Sequence, residues 1–251
     1  MPRKKKAVSM RMTEEASRMI YLRNMFRYVA LDGPLVDAIG SRAQQCGRVP
    51  ETHIQQKDRR DGPGTFHVTV INPRELPQAL ERIGVDSKVK KKKRPQMVDE
   101  LVKHIQTRYG EAHTWPLPID LGLGRVQDAS SEAYYAVLHW PFGLWLRSQL
   151  GLHSSCFHVT AGFNSKDVHG LYKGPATLLD LHQPYFSYKL LKLWSDIAPY
   201  YTHDLVFLQR LLHQSRVQND NTLFGSLAWL WLKANLSYLI AGSRRHNTKD
   251  V

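Results

Sequence analysis

The chain has 251 residues, 42% of them hydrophobic, and Lys plus Arg exceed Asp plus Glu by 35 − 22 = 13. That is apolar material for one large domain or two small lobes, with a positive excess that directs attention to polyanions, either nucleic acid or an acidic membrane surface. Two cysteines, Cys46 and Cys156, exclude a disulfide framework and a cysteine-built zinc cluster and fit a reducing compartment, cytoplasmic or nuclear.

Residues 1–12 are polar and basic and read as a disordered tail; no long apolar run follows them, so no secretory signal is expected there. Thr13-Glu14-Glu15 looks like a helix start, with Thr13 as cap and the acids at the positive end of the dipole, and a broken apolar face extends that helix to about Tyr28. A short helix is expected over Pro34 to Ala43. Cys46 to Gly64 is polar and reads as a loop ending in Asp61-Gly62-Pro63-Gly64. Thr65 to Ile71 is short, apolar and β-branched, followed by Asn72-Pro73, and reads as a buried strand.

Pro73 to Ile83 reads as helix, with Pro73 in the first turn. The run Lys88 to Arg94 is a solvated loop, an RNA-backbone patch or a nuclear import signal. Gln96 to Tyr109 is helical with Met97, Leu101 and Ile105 inward. Pro118 to Val126 and Glu132 to Trp140 form a hairpin around Asp128 to Ser131, Pro141 opens a helix closed by Gly151, and Cys156 to Phe163 is another buried strand.

Beyond a loop over Asn164 to Pro175 the chain reads helical: Thr177 to Trp194, Thr202 to Val217 and Asn221 to Ala241. Leu223 to Gly242 has the length of a membrane span. Lys233 near its centre would cost about 2.5–3.5 kcal/mol to insert, so a buried helical pair is expected, with contact to an anionic membrane as the alternative. The organisation expected is a basic tail over 1–12, an α+β domain of two antiparallel lobes over 13–176, and a helical extension over 177–251.

The two buried strands share a tetrapeptide, Phe66-His67-Val68-Thr69 and Phe157-His158-Val159-Thr160. Strand side chains alternate, so in each copy the His and the Thr share a face and the apolar residues line the other. Three uses are open to such a pair. They could be core histidines with satisfied hydrogen bonds. They could be metal ligands, with Asp167 and His169 added, although neither His-x-His nor His-Glu-x-x-His spacing is present. Or they could divide acid–base work on a phosphodiester, one imidazole taking a proton from water and the other giving one to the leaving oxygen. The threonine hydroxyls would then steady the non-bridging phosphate oxygens.

The motifs His67-Val68-Thr69-Val70 and His158-Val159-Thr160-Ala161 resemble the paired His-x-Thr-x signature of the 2H phosphoesterase superfamily, and Phe163 to Gly170, with its Asp167-Val168-His169-Gly170 element, resembles the Swiss army knife branch. The resemblance implies a bilobed, pseudo-symmetric fold with His67, Thr69, His158 and Thr160 facing one cleft. It implies metal- and cofactor-independent opening of a 2′,3′-cyclic phosphate on RNA or a small nucleotide, with His67 as general acid, His158 as general base, and Thr69 and Thr160 binding phosphate. The same chemistry would serve 2′,5′-linked oligoadenylate or a cyclic dinucleotide. A non-catalytic RNA-binding protein is the rival. His169 and Lys173 could reach a phosphate or lie in a solvated loop, and Phe163 could stack on a base, with core packing favoured by its alternation with Phe157.

Overall fold

The computed structural model describes residues 18–86 and 94–246, with the backbone alone at Arg94 and from 238 onward. The expected tail over 1–12, the helix start at Thr13 and the run Lys88 to Lys93 lie outside the described residues.

Among the described residues a six-stranded sheet runs β1 (Tyr21–Asn24), β2 (Val29–Asp32), β3 (Val68–Ile71), β6 (Phe157–Phe163), β5 (Glu132–His139), β4 (Ile119–Gln127), in that spatial order. The two expected antiparallel lobes are the halves of this one sheet, β1-β2-β3 and β6-β5-β4. They join where β3 meets β6 through the antiparallel pair Val68↔Val159. On the second side β6 is held over most of its length by β5, from Leu138↔Phe157 to Ala133↔Phe163.

The helix expected to reach Tyr28 is corrected in its described part: Tyr21–Asn24 is strand, and a tight turn with Phe26 at φ 62° and Met25 N–H donating to Tyr28 O leads into β2. Ile20 and Leu22 are buried while Arg23 is exposed. That two-residue alternation outweighs the looser helical spacing of the same segment.

Helix α1 (Pro34–Gln45) agrees with expectation, but the polar stretch after it holds a helix that sequence reading took as loop, α2 (Glu51–Asp61). Its residues are too polar to show an apolar face. It lies against β6, where Gly162 leaves the room: a bulge after Thr160 turns Gly162 to the face of its partner Tyr134, and a Cβ there would sit 2.9 Å from Val49 and 3.0 Å from the His53 backbone.

Further on, α4 (Arg94–Tyr109) and α5 (Pro141–Gln149) match the sequence reading, with Val98, Leu101 and Ile105 of α4 in the core, while α3 (Leu76–Arg82) begins later than expected, Pro73 lying in the turn before it and Pro77 taking the first helical turn. Arg147 of α5 is buried and anchors α5 to the strand edge. It donates to Val70 O at 2.6 Å, to His153 O at 2.9 Å and to the Glu75 carboxylate.

By compactness the chain divides into two units. One comprises the described residues up to Asp120 with Arg125–Lys173; the other comprises Leu121–Gly124 and the described residues from Gly174. In the second unit, the helix expected over Thr177 to Trp194 is corrected to two single-turn helices, Pro175–Thr177 and Asp180–His182, and a later helix α6 (Tyr188–Ile197). Pro184 interrupts the run, and Ser187 restarts it by accepting a hydrogen bond from Leu190 N–H. Asp204 caps α7 (Leu205–Val217), which packs along α8 (Asn221–His246). Among the described residues no helix is long and apolar enough to cross a membrane.

Candidate active site

Exposure follows the predicted alternation through both tetrapeptides and breaks only after Thr160, where β6 is bulged. Phe66, Val68, Phe157 and Val159 are buried, and His67, Thr69, His158 and Thr160 are each partly exposed. The register pair Val68↔Val159 then fixes the arrangement. In an antiparallel ladder it sets His67 opposite Thr160 and Thr69 opposite His158, all four on one face. Opposed Cβ atoms lie about 5 Å apart and diagonal neighbours about 7–8 Å. His67 and His158 are the diagonal pair. A phosphate hydrogen-bonded on both sides, at about 2.8 Å each, fills that span.

Each histidine is held by a neighbour. His158 Nδ1 lies 3.2 Å from Cys156 O, so this nitrogen carries the proton and donates it, leaving the Nε2 lone pair directed elsewhere. The Lys173 ammonium donates to that Nε2 at 3.3 Å, and Tyr135 meets the ring edge-on with centroids 5.4 Å apart. His67 Nε2 lies 3.4 Å from Tyr28 Oη, with the rings 5.6 Å apart.

Asp167 joins these parts. It accepts from Thr160 Oγ1 at 3.2 Å, from Lys173 Nζ at 3.1 Å and from Arg60 at 3.4 Å. Arg60 comes from α2, where it also pairs with Asp61 at 2.7 Å and lies over the Phe163 ring, 4.6 Å from its centroid.

Both imidazoles are shifted towards their neutral form. Burial, aided by the nearby Lys173 charge, lowers His158 to about 4. Burial likewise lowers His67, while Asp61 pulls in the opposite direction. For Asp167, burial favours the neutral acid, but the charge and hydrogen bond of Lys173 outweigh it and hold the group below the ordinary carboxylate value. Lys173 itself is depressed by burial against the pull of Asp167.

Of the sequence candidates, the structure brings Lys173 into this cluster and leaves His169 exposed. Phe163 takes the core alternative and not the base-stacking one: it is 2% exposed and lies beneath Arg60. Asp167, considered in the sequence only as a metal ligand, is an ion-pair hub, and among the described residues no three His, Cys, Asp or Glu side chains gather as a metal-binding set. Arg60 and Tyr28 were missed. Nothing local marks them, since their partners lie 107 and 39 residues away.

A family model described as Swiss Army Knife, 2H phosphoesterase domain, matches residues 27–169, more than half the chain and all four His and Thr positions. No curated protein and no solved structure gives a match.

Proposed function

The chain belongs to the Swiss Army Knife 2H phosphoesterases, and from that premise we propose that it hydrolyses the 2′,3′-cyclic phosphate ends of RNA or of small nucleotides without a metal, using His158 as general base and His67 as general acid. The observation that carries this reading is the diagonal placement of the two imidazoles across one strand pair.

His158 Nε2, basic because Nδ1 keeps its proton on Cys156 O, takes a proton from water as the water oxygen bonds to phosphorus. The bond from phosphorus to the leaving ribose oxygen breaks, and protonated His67 supplies that oxygen with a proton. The Thr69 hydroxyl donates to a non-bridging oxygen as its charge grows, and the Thr160 hydroxyl, which donates its one proton to Asp167 in the free protein, turns it to a non-bridging oxygen when substrate arrives. The Lys173 ammonium, held by Asp167, transfers its third donor from Nε2 to a non-bridging oxygen when substrate arrives, which frees the base.

The test is incubation of RNA ending in a 2′,3′-cyclic phosphate with the parent, His67→Ala and His158→Ala, each with and without EDTA. Turnover by the parent in both conditions, and a loss of about 10²-fold or more in each variant, is the expected result. Tight RNA binding without turnover would assign the chain to the non-catalytic reading, and loss of activity with EDTA restored by zinc would overturn the acid–base assignment.

A further inference from the structure

Helix α8 keeps one face away from its neighbours. It turns Leu227 and Ala234 inward, 1% and 4% exposed, and packs along α7. At about 100° per residue the opposite side carries Gly225, Trp229, Leu232 and Leu236. The three large residues of that stripe are open, with Trp229 at 69%, Leu232 at 50% and Leu236 at 58% exposed.

Charge on the helix has one sign. From Asn221 to His246 the sequence contains no Asp or Glu, and its cations are Lys233, Arg244 and Arg245. Lys233 is exposed and lies about 40° around the helix from Trp229. Its alkyl stem can follow the apolar stripe while the ammonium reaches outward.

We propose that α8 is an interfacial helix that docks this chain on bilayers rich in anionic lipid. Trp229, Leu232 and Leu236 enter the boundary between headgroups and acyl chains, and Lys233 meets lipid phosphate or carboxylate groups. Charge complementarity selects lipid over a second copy of the chain. Two such helices joined along the stripe would set cation against cation, with no acid on either to offset them, whereas an anionic headgroup layer supplies the missing sign. The proposal does not depend on the phosphoesterase reading, because every residue of that site precedes Gly174.

The experiment is co-sedimentation of the full chain with phosphatidylcholine vesicles and with vesicles containing phosphatidylserine, alongside light scattering of the free protein. Lys233→Glu and a triple variant, Trp229→Ser with Leu232→Ser and Leu236→Ser, are compared with the parent; the substituted residues are exposed, so folding is retained and is checked by circular dichroism. The parent should bind the serine-lipid vesicles in preference to neutral ones. Lys233→Glu should weaken that binding by about fivefold or more, the triple variant should abolish it, and both should hydrolyse substrate as the parent does. Absence of binding to the anionic vesicles, equal binding by the triple variant, or a dimer that dissociates only in the triple variant would overturn the proposal, the last by assigning the stripe to self-association.

Discussion

In the proposed mechanism His158 is the residue on which the chemistry turns, and its state follows from two contacts. Cys156 O fixes the tautomer, and the Lys173 charge, added to burial, holds the ring neutral. The pH dependence follows in sign. As a base His158 is lost when pH falls through about 4; as an acid His67 is lost when pH rises through a value below its ordinary 6.5. A plot of kcat/KM against pH should therefore be bell-shaped with its maximum on the acid side of 6.5. Lys173→Met removes a positive charge facing His158 and leaves Asp167 to favour the imidazolium, so the acid limb should move upward from about 4. NMR titration of the His158 ring checks the same shift without substrate. An unmoved acid limb would mean that Lys173 does not set the base.

The four His and Thr positions were legible because alternation along a strand needs only neighbouring residues. Arg60 and Lys173 were not equally legible. Lys173 was legible as a loop cation that could reach a phosphate but not as a partner of Asp167 and His158, and Arg60 only as one charge in a polar run. What gives either a role is Asp167, reached through tertiary folding that local pattern does not encode.

Among the elements, α2 teaches most. A helix whose one aliphatic residue is Ile54, among Glu, Thr, His, Gln, Lys, Asp and Arg, gives no hydrophobic periodicity and looks locally like loop. Its position is set by what it rests on, Gly162 of β6, and it delivers Arg60 and Asp61 to the candidate active site. The strand β1 failed for the opposite reason: four residues are too few to display a period against a competing helical one. The long amphipathic helix α4, the Asp128–Ser131 hairpin and both repeat strands carried strong enough signals to be read directly.

A related close approach gives an element-scale test. A Cβ on Gly40 of α1 would overlap the base of the Phe66 ring, which is 2% exposed and immediately precedes His67. Overpacking costs about 1–3 kcal/mol, against about 1 kcal/mol gained by replacing a helical glycine with alanine. Gly40→Ala should thus lower the urea midpoint modestly and reduce turnover, because the Phe66 ring cannot move without carrying the strand entrance with it. A stabilised variant with parental activity would show that α1 does not fix β3 in this way.

Across the whole molecule, 35 basic against 22 acidic residues make approach of an RNA end electrostatically favourable. Substrate capture should then weaken as salt rises, through counterion release. Expressed as kcat/KM for a cyclic-phosphate RNA, the decline should be steep, and it should be much shallower for a mononucleoside cyclic phosphate that presents a single charge. Equal salt slopes for the two substrates would place the positive excess outside substrate capture.

The two halves of the sheet meet at the strand pair that bears the two histidines, so the junction of the fold is also where the candidate chemistry sits. The most direct measurement is hydrolysis of a cyclic-phosphate RNA in water enriched in oxygen-18, read by mass and phosphorus NMR. The account predicts one labelled oxygen on the phosphate of the product with the parent chain and none above background with His158→Ala, although that variant still binds the RNA. Label incorporated at parental rate by His158→Ala, or none by the parent, would contradict it.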